Sequence, residues 1–137
     1  MKYILYKSGY KYQLSTTYII TIPLTPPAGI VTDYIALTVT GTLIISAGYA
    51  WDGASGPALD SIFGTKAIMR GALVHDALYQ LIRLGLLPET ERKKADDILR
   101  DICLEDGMTT VRAWYVWKAV RMFGGIANKE RPIMHAP

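Results

Sequence analysis

The spacing of apolar residues changes near Ile62, and that change constrains the fold of this 137-residue chain more than any other feature. Upstream, residues 2–50 are rich in Tyr, Thr, Ile and Val, in short runs broken by Ser8-Gly9, Pro26-Pro27-Ala28-Gly29 and Thr40-Gly41. β-Branched and aromatic residues suit a pleated, half-buried surface, and Gly and Pro supply turns. The pattern predicts roughly four antiparallel strands, clearest over 18–22, 35–39 and 43–45, with Thr40-Gly41 as a hairpin turn. Strict alternation is absent, so the register stays open. Downstream, apolar residues recur three and four apart, as on a helix that buries one face. Helices are expected over about 65–84, ending near Gly85; over 89–105, opened by Pro88 and Glu89 and stopped by Gly107; and over 109–123, closed at Gly124-Gly125. The reading is a single α+β domain over 1–137: strand-rich to 50, a glycine-rich loop over 51–61, helical over 62–125, and an irregular tail over 126–137.

Composition narrows the function classes. Half of the residues are hydrophobic, ample for one core. The net charge of +3 comes from scattered Lys and Arg, and the longest basic run, Arg92-Lys93-Lys94, reads as a solvated helix face, which argues against nucleic acid as a partner. A single cysteine, Cys103, allows no disulfide within the chain and suits a reducing cytoplasm. The start, Met1 to Lys7, turns polar before reaching signal-peptide length, and no stretch approaches the ~18 apolar residues of a membrane span. The expectation is a soluble protein made in the cytoplasm, which leaves the cell only by lysis or carried in a particle.

The residues able to do chemistry gather on the first helix. His75 and Tyr79 stand four apart and share a face, while Asp76 points about 100° away from His75. An imidazole titrates near neutral pH, so His75 can serve as general base on a water. A base of this kind needs a partner to hold its tautomer, and Asp96 or Asp97 on the next helix can supply it if the two helices pack antiparallel. Asp76 is then available for a hard cation such as Ca²⁺, which takes oxygen ligands. Such a cation polarises an ester carbonyl and steadies the oxyanion formed when water attacks. The segment Gly48 to Pro57 can offer carbonyls to it; equally, its glycines can serve only the geometry of a β-to-α connection. Asp52 and Asp60 suit turn and cap positions, and either can complete a cation site.

Ala72-x-x-His75-Asp76-x-x-Tyr79, with Ala95-Asp96 on the following helix, resembles the catalytic motif of secreted and parvoviral phospholipases A2. The resemblance spans roughly residues 51–105. It implies a phospholipase-A2-like antiparallel helix pair, with His75 as base, Asp96 orienting it, Tyr79 supporting the network and Asp76 as calcium ligand; Asp52, Gly53 and Ser55 of the loop are expected as further metal ligands on the strength of the loop's own composition. The loop departs from the glycine spacing of those enzymes, and their disulfides are absent. Over the whole chain, the strand-rich start, Trp51-Asp52-Gly53-Ala54-Ser55-x-Pro57 and the His-Asp-x-x-Tyr helix resemble a phage and prophage family known as domain of unknown function 1353. That likeness implies a phage source.

Other catalytic patterns fit less well. Ser55 follows Gly53, but Pro57 stands where a nucleophile elbow needs its second glycine. Cys103 lies at a helical position suited to a core, and His135 has no nearby partner for zinc. The third helix mixes Trp114, Tyr115, Trp117 and Phe123 with Arg112, Lys118 and Arg121, a set suited to a phospholipid surface or, more commonly, to burial of one face with a partly exposed edge. Two functions follow: a phage-encoded, calcium-assisted lipid or ester hydrolase of phospholipase A2 type acting in entry or lysis, or a non-catalytic virion or tail component that uses the scaffold to contact other phage virion proteins.

Overall fold

A computed structural model describes residues 4–7, 12–51 and 66–130, and the side chains of 4–5, 12–51 and 67–122. The fold is α+β: among the described residues antiparallel sheets are followed in the chain by three helices. The chain divides into two compact units, one within residues 1–51 and one within 52–134.

Among its described residues the first unit holds seven short strands, β1 (Tyr6–Lys7), β2 (Tyr12–Leu14), β3 (Tyr18–Thr21), β4 (Ile30–Val31), β5 (Ile35–Leu37), β6 (Thr42–Ile45) and β7 (Ala50–Trp51). They form a three-stranded sheet ordered β1-β2-β7 and a four-stranded sheet ordered β3-β6-β5-β4, with every pairing antiparallel. The expected hairpin at Thr40-Gly41 joins β5 to β6, closed by Thr38 N–H donating to Thr42 O (3.0 Å) and Gly41 N–H to Thr38 O (3.1 Å). Within β5 and within β6 burial alternates, and Leu37 pairs with Leu43 and Ile35 with Ile45 on the inner face. Tyr18 joins them opposite Ile45. Roughly four strands are expected and the described residues form seven, because two-residue strands such as β4 and β7 are too short to carry a period-2 signal.

Among the described residues the second unit holds α1 (Lys66–Arg83), a 3₁₀ turn (Glu89–Glu91), α2 (Arg92–Glu105) and α3 (Thr110–Glu130). Both expected glycine stops are present. Gly85 N–H bonds to Ile82 O and Leu86 N–H to Leu81 O; Gly107 N–H bonds to Leu104 O and Met108 N–H to Cys103 O. This double bond pattern requires a left-handed residue, and the two glycines have φ of 76° and 97°. Thr109 caps α3, its hydroxyl accepting from Arg112 N–H at 3.3 Å. The expected end of α3 at Gly124-Gly125 is not observed, since the helix runs through both to Glu130. A helix-interior glycine costs only about 1 kcal/mol, and Ile126 to Glu130 continue with residues a helix accepts. The tail therefore starts later than expected, and 131–137 lie outside the described residues.

The contacts between α1 and α2 run in opposite senses along the chain. Arg70 meets Glu105 and Asp106, Gly71 meets Leu99 and Cys103, and His75 and Tyr79 meet Asp96. This is the antiparallel pair. Leu73, Val74, Ala77, Leu78 and Leu81 of α1 and Ala95, Ile98, Leu99, Ile102 and Cys103 of α2 are buried around it. Arg70, itself buried, ties one end: its Nε donates to Asp106 Oδ2 (3.0 Å) and its Nη2 to Asp106 Oδ1 (2.8 Å) and Glu105 Oε1 (2.8 Å). Among the described residues no helix is long and apolar enough to cross a membrane.

Candidate active site

Asp96 is placed by the stripe it belongs to. It lies on α2 three residues before Leu99 and seven before Cys103, so the same helical face that packs on α1 carries this carboxylate into the interior, where it is 0 % exposed. A buried carboxylate must be fully satisfied, and four side chains converge on it.

His75 Nε2 lies 2.7 Å from Asp96 Oδ1. A carboxylate only accepts, so the proton of this contact sits on Nε2, and Nδ1 is the ring nitrogen left to take another. Tyr79 donates its hydroxyl to the same Oδ1 at 2.6 Å. The His75 and Tyr79 rings are 4.1 Å apart at centroids, tilted by 38°, as their spacing on one helix face dictates. On the other carboxylate oxygen, Arg121 of α3 donates Nη1 to Oδ2 at 2.8 Å, and Arg92 Nη1 stands 3.7 Å away as a charge contact. Arg92 also contacts the Tyr79 hydroxyl and lies 3.6 Å from Glu89.

This surrounding field acts on Tyr79. Burial, reinforced by the hydrogen bond to Asp96 and its negative charge, pushes the phenol far above its ordinary value, with Arg92 opposing weakly. Tyr79 is thus a permanent donor. Burial alone would lower Arg92, but Tyr79, Asp96 and Glu89 together raise it, so it remains a cation.

Asp97, the other carboxylate considered as the His75 partner, points elsewhere. It accepts from Trp117 Nε1 of α3 at 2.7 Å and from Lys93 Nζ at 3.0 Å. Burial disfavours its charged form, but the bonds from Lys93 and Trp117 and the charges of Lys93 and Arg100 outweigh that and hold it below the usual carboxylate range. Arg100 lies over the Trp117 ring at 5.8 Å.

Of the residues read from sequence, His75, Tyr79 and Asp96 are brought together and Asp97 stands beside them without touching His75. Asp76 is half-buried on α1. Asp52, Gly53, Ser55 and Asp60 lie outside the described residues, as does the rest of the loop beyond Trp51. Among the described residues no three His, Cys, Asp or Glu side chains converge as a metal site. Sequence reading missed the two arginines on Asp96. Arg92 precedes Asp96 by four residues, a spacing that signals a helix ion pair, but its place in a basic run reads as solvated surface. Arg121 is 25 residues away on another helix, with no local signal. Cys103 is the core residue expected, its thiol pushed up to about 12 by burial and then by Asp106.

A buried imidazole with a fixed tautomer, a donor-only phenol and a carboxylate held by two cations make an arrangement able to hold and return one proton. A family model described as "Protein of unknown function (DUF1353)" matches residues 28–120, and the chain belongs to that family. No curated protein and no solved structure matches it.

Proposed function

We propose that this chain is an ester hydrolase of phospholipase A2 type, phage-encoded and acting on lipid in entry or lysis. One observation carries the reading: Asp96 Oδ1 receives both His75 Nε2 and the Tyr79 hydroxyl, at 2.7 and 2.6 Å. In the proposed reaction His75 Nδ1 takes a proton from a water whose oxygen attacks the ester carbonyl. Asp96 steadies the resulting imidazolium, and Tyr79 keeps the carboxylate from turning. The proton then passes from Nδ1 to the departing alcohol oxygen as the carbonyl reforms. Calcium held by Asp76 with Asp52, Gly53 and Ser55 of the loop would supply positive charge for the oxyanion.

The test is cleavage of a phospholipid ester, with and without calcium, by the wild-type chain and His75→Ala. Calcium-dependent turnover that falls roughly a thousandfold in the variant is the expected result, the usual contribution of a positioned base. Equal background rates with both proteins overturn the proposal.

A second reading, a virion or tail component contacting other phage virion proteins, draws on the occupancy of Asp96. Both carboxylate oxygens are engaged, by His75, Tyr79 and Arg121, as in a structural hub. Under it, His75→Ala lowers stability and no turnover exists to be lost.

A further inference from the structure

The outer side of α3, like its inner side, carries apolar side chains. Ala113, Val116 and Val120 turn inward and are buried, whereas Val111, Trp114, Tyr115 and Met122 are 65, 48, 54 and 55 % exposed. At 100° per residue these four, with Lys118, form one stripe opposite the buried one. The sequence favoured burial with a partly exposed edge; the exposed surface is a full face. The Trp114 and Tyr115 rings meet edge to face with centroids 5.1 Å apart, presenting one aromatic platform.

Charge selects what covers this face. From Thr109 to Met122 the chain has three cations, Arg112, Lys118 and Arg121, and no Asp or Glu. Arg121 is committed to Asp96, while Arg112 and Lys118 are exposed. A second copy packed about a two-fold axis would gather two Arg112 and two Lys118 side chains into one apolar interface, with no acid from this stretch of α3 to pair them. Two cations are also few for gripping a nucleic-acid backbone, where each phosphate contact adds to affinity. Apolar and aromatic side chains with flanking cations and no anion match a lipid interface, rings at headgroup depth and ammonium or guanidinium groups on phosphates.

We infer that the exposed face of α3 docks on an anionic phospholipid surface. The docking does not depend on turnover at His75, and the two are read separately.

The full-length chain and its His75→Ala variant are sedimented with vesicles of phosphatidylcholine alone and of phosphatidylcholine and phosphatidylglycerol in equal parts. Both proteins bind the anionic vesicles at least tenfold more tightly, because each surface cation contributes roughly fivefold on an anionic leaflet, and added salt weakens the binding. Trp114→Ala/Tyr115→Ala reduces binding to anionic vesicles by about tenfold or more, and Arg112→Glu/Lys118→Glu removes the anionic preference. The altered side chains are exposed, and unchanged circular dichroism verifies that the variants fold. Binding by both proteins in the absence of ester cleavage upholds the docking and sinks only the hydrolase. Absence of vesicle binding, equal binding to both compositions, or an aromatic double variant that binds as wild type overturns the inference. So does a concentration-dependent dimer that the aromatic variant abolishes while no vesicle is bound.

Discussion

Gly71 of α1 and Leu99 of α2 approach so closely that a methyl group on Gly71 would lie 2.9 Å from Leu99 Cδ1 and 3.2 Å from its carbonyl oxygen. His75 stands one turn beyond Gly71, and Asp96 one turn before Leu99. The close approach therefore sets the distance at which imidazole and carboxylate meet. Gly71→Ala gains about 1 kcal/mol of helix propensity but overpacks the crossing at a typical cost of about 2 kcal/mol. The expected net is a loss of about 1 kcal/mol in urea unfolding, with the imidazole resonances of His75 shifted.

Asp96→Asn removes the charge that holds Arg121 and Arg92 beside a buried position. Breaking a buried pair costs about 3 to 5 kcal/mol, here toward the low end because both arginine side chains are partly exposed. Asp97→Asn, in a half-exposed cluster, costs about 1 kcal/mol or less. Denaturant midpoints of the two variants should separate widely, and similar midpoints would mean that the two acids have comparable surroundings.

Alkaline stability carries the mark of two buried protons. Tyr79 and Cys103 both have folded values above their ordinary ones, Cys103 moving from 9.0 to about 12. In each, the unfolded chain gives up its proton first, so the stabilisation is complete below the ordinary value and is lost as pH climbs toward the folded one. Stability should therefore decline from about pH 9 upward. Cys103→Ala, whatever its starting stability, should show a shallower decline between pH 9 and 11, as measured by unfolding at fixed pH steps.

Acid acts through Asp97. Its folded value lies below the ordinary 3.8, so its contribution is complete above that value and disappears as pH falls through the folded one. The Trp117 indole loses its acceptor in the same window. Asp97→Asn should remove part of the stability loss below about pH 4, and Trp117 fluorescence should cease to report it.

Tyr79→Phe deletes a donor to a carboxylate and should cost about 2 kcal/mol. It leaves the His75 contact to Asp96 intact, so the His75 ring should keep its tautomer in nitrogen chemical shifts. A changed tautomer would mean that the phenol, rather than Asp96, holds the imidazole.

The legible parts of this protein were those written over short distances. Gly85 and Gly107 could be read as helix stops because each sits where a left-handed residue closes the last turn, whereas Gly124-Gly125 carries the same residue type with no such closure. His75 and Tyr79 could be placed on one face from their spacing, and Asp96 within reach once two helices pack antiparallel. Whether Asp96 or Asp97 faced His75 could not be read from two identical neighbours. Arg121 was invisible for another reason: it lies 25 residues from Asp96 on the next helix, and nothing periodic connects them.

Asp96 and Asp97 are chemically the same and differ by 100° of rotation about α2, and that rotation is fixed by Ala95, Leu99, Ile102 and Cys103 seeking the interior. The choice of which carboxylate meets the imidazole thus resides in the greasy side chains rather than in the acids. Repatterning that apolar stripe by one position would exchange the roles of the two acids without altering either.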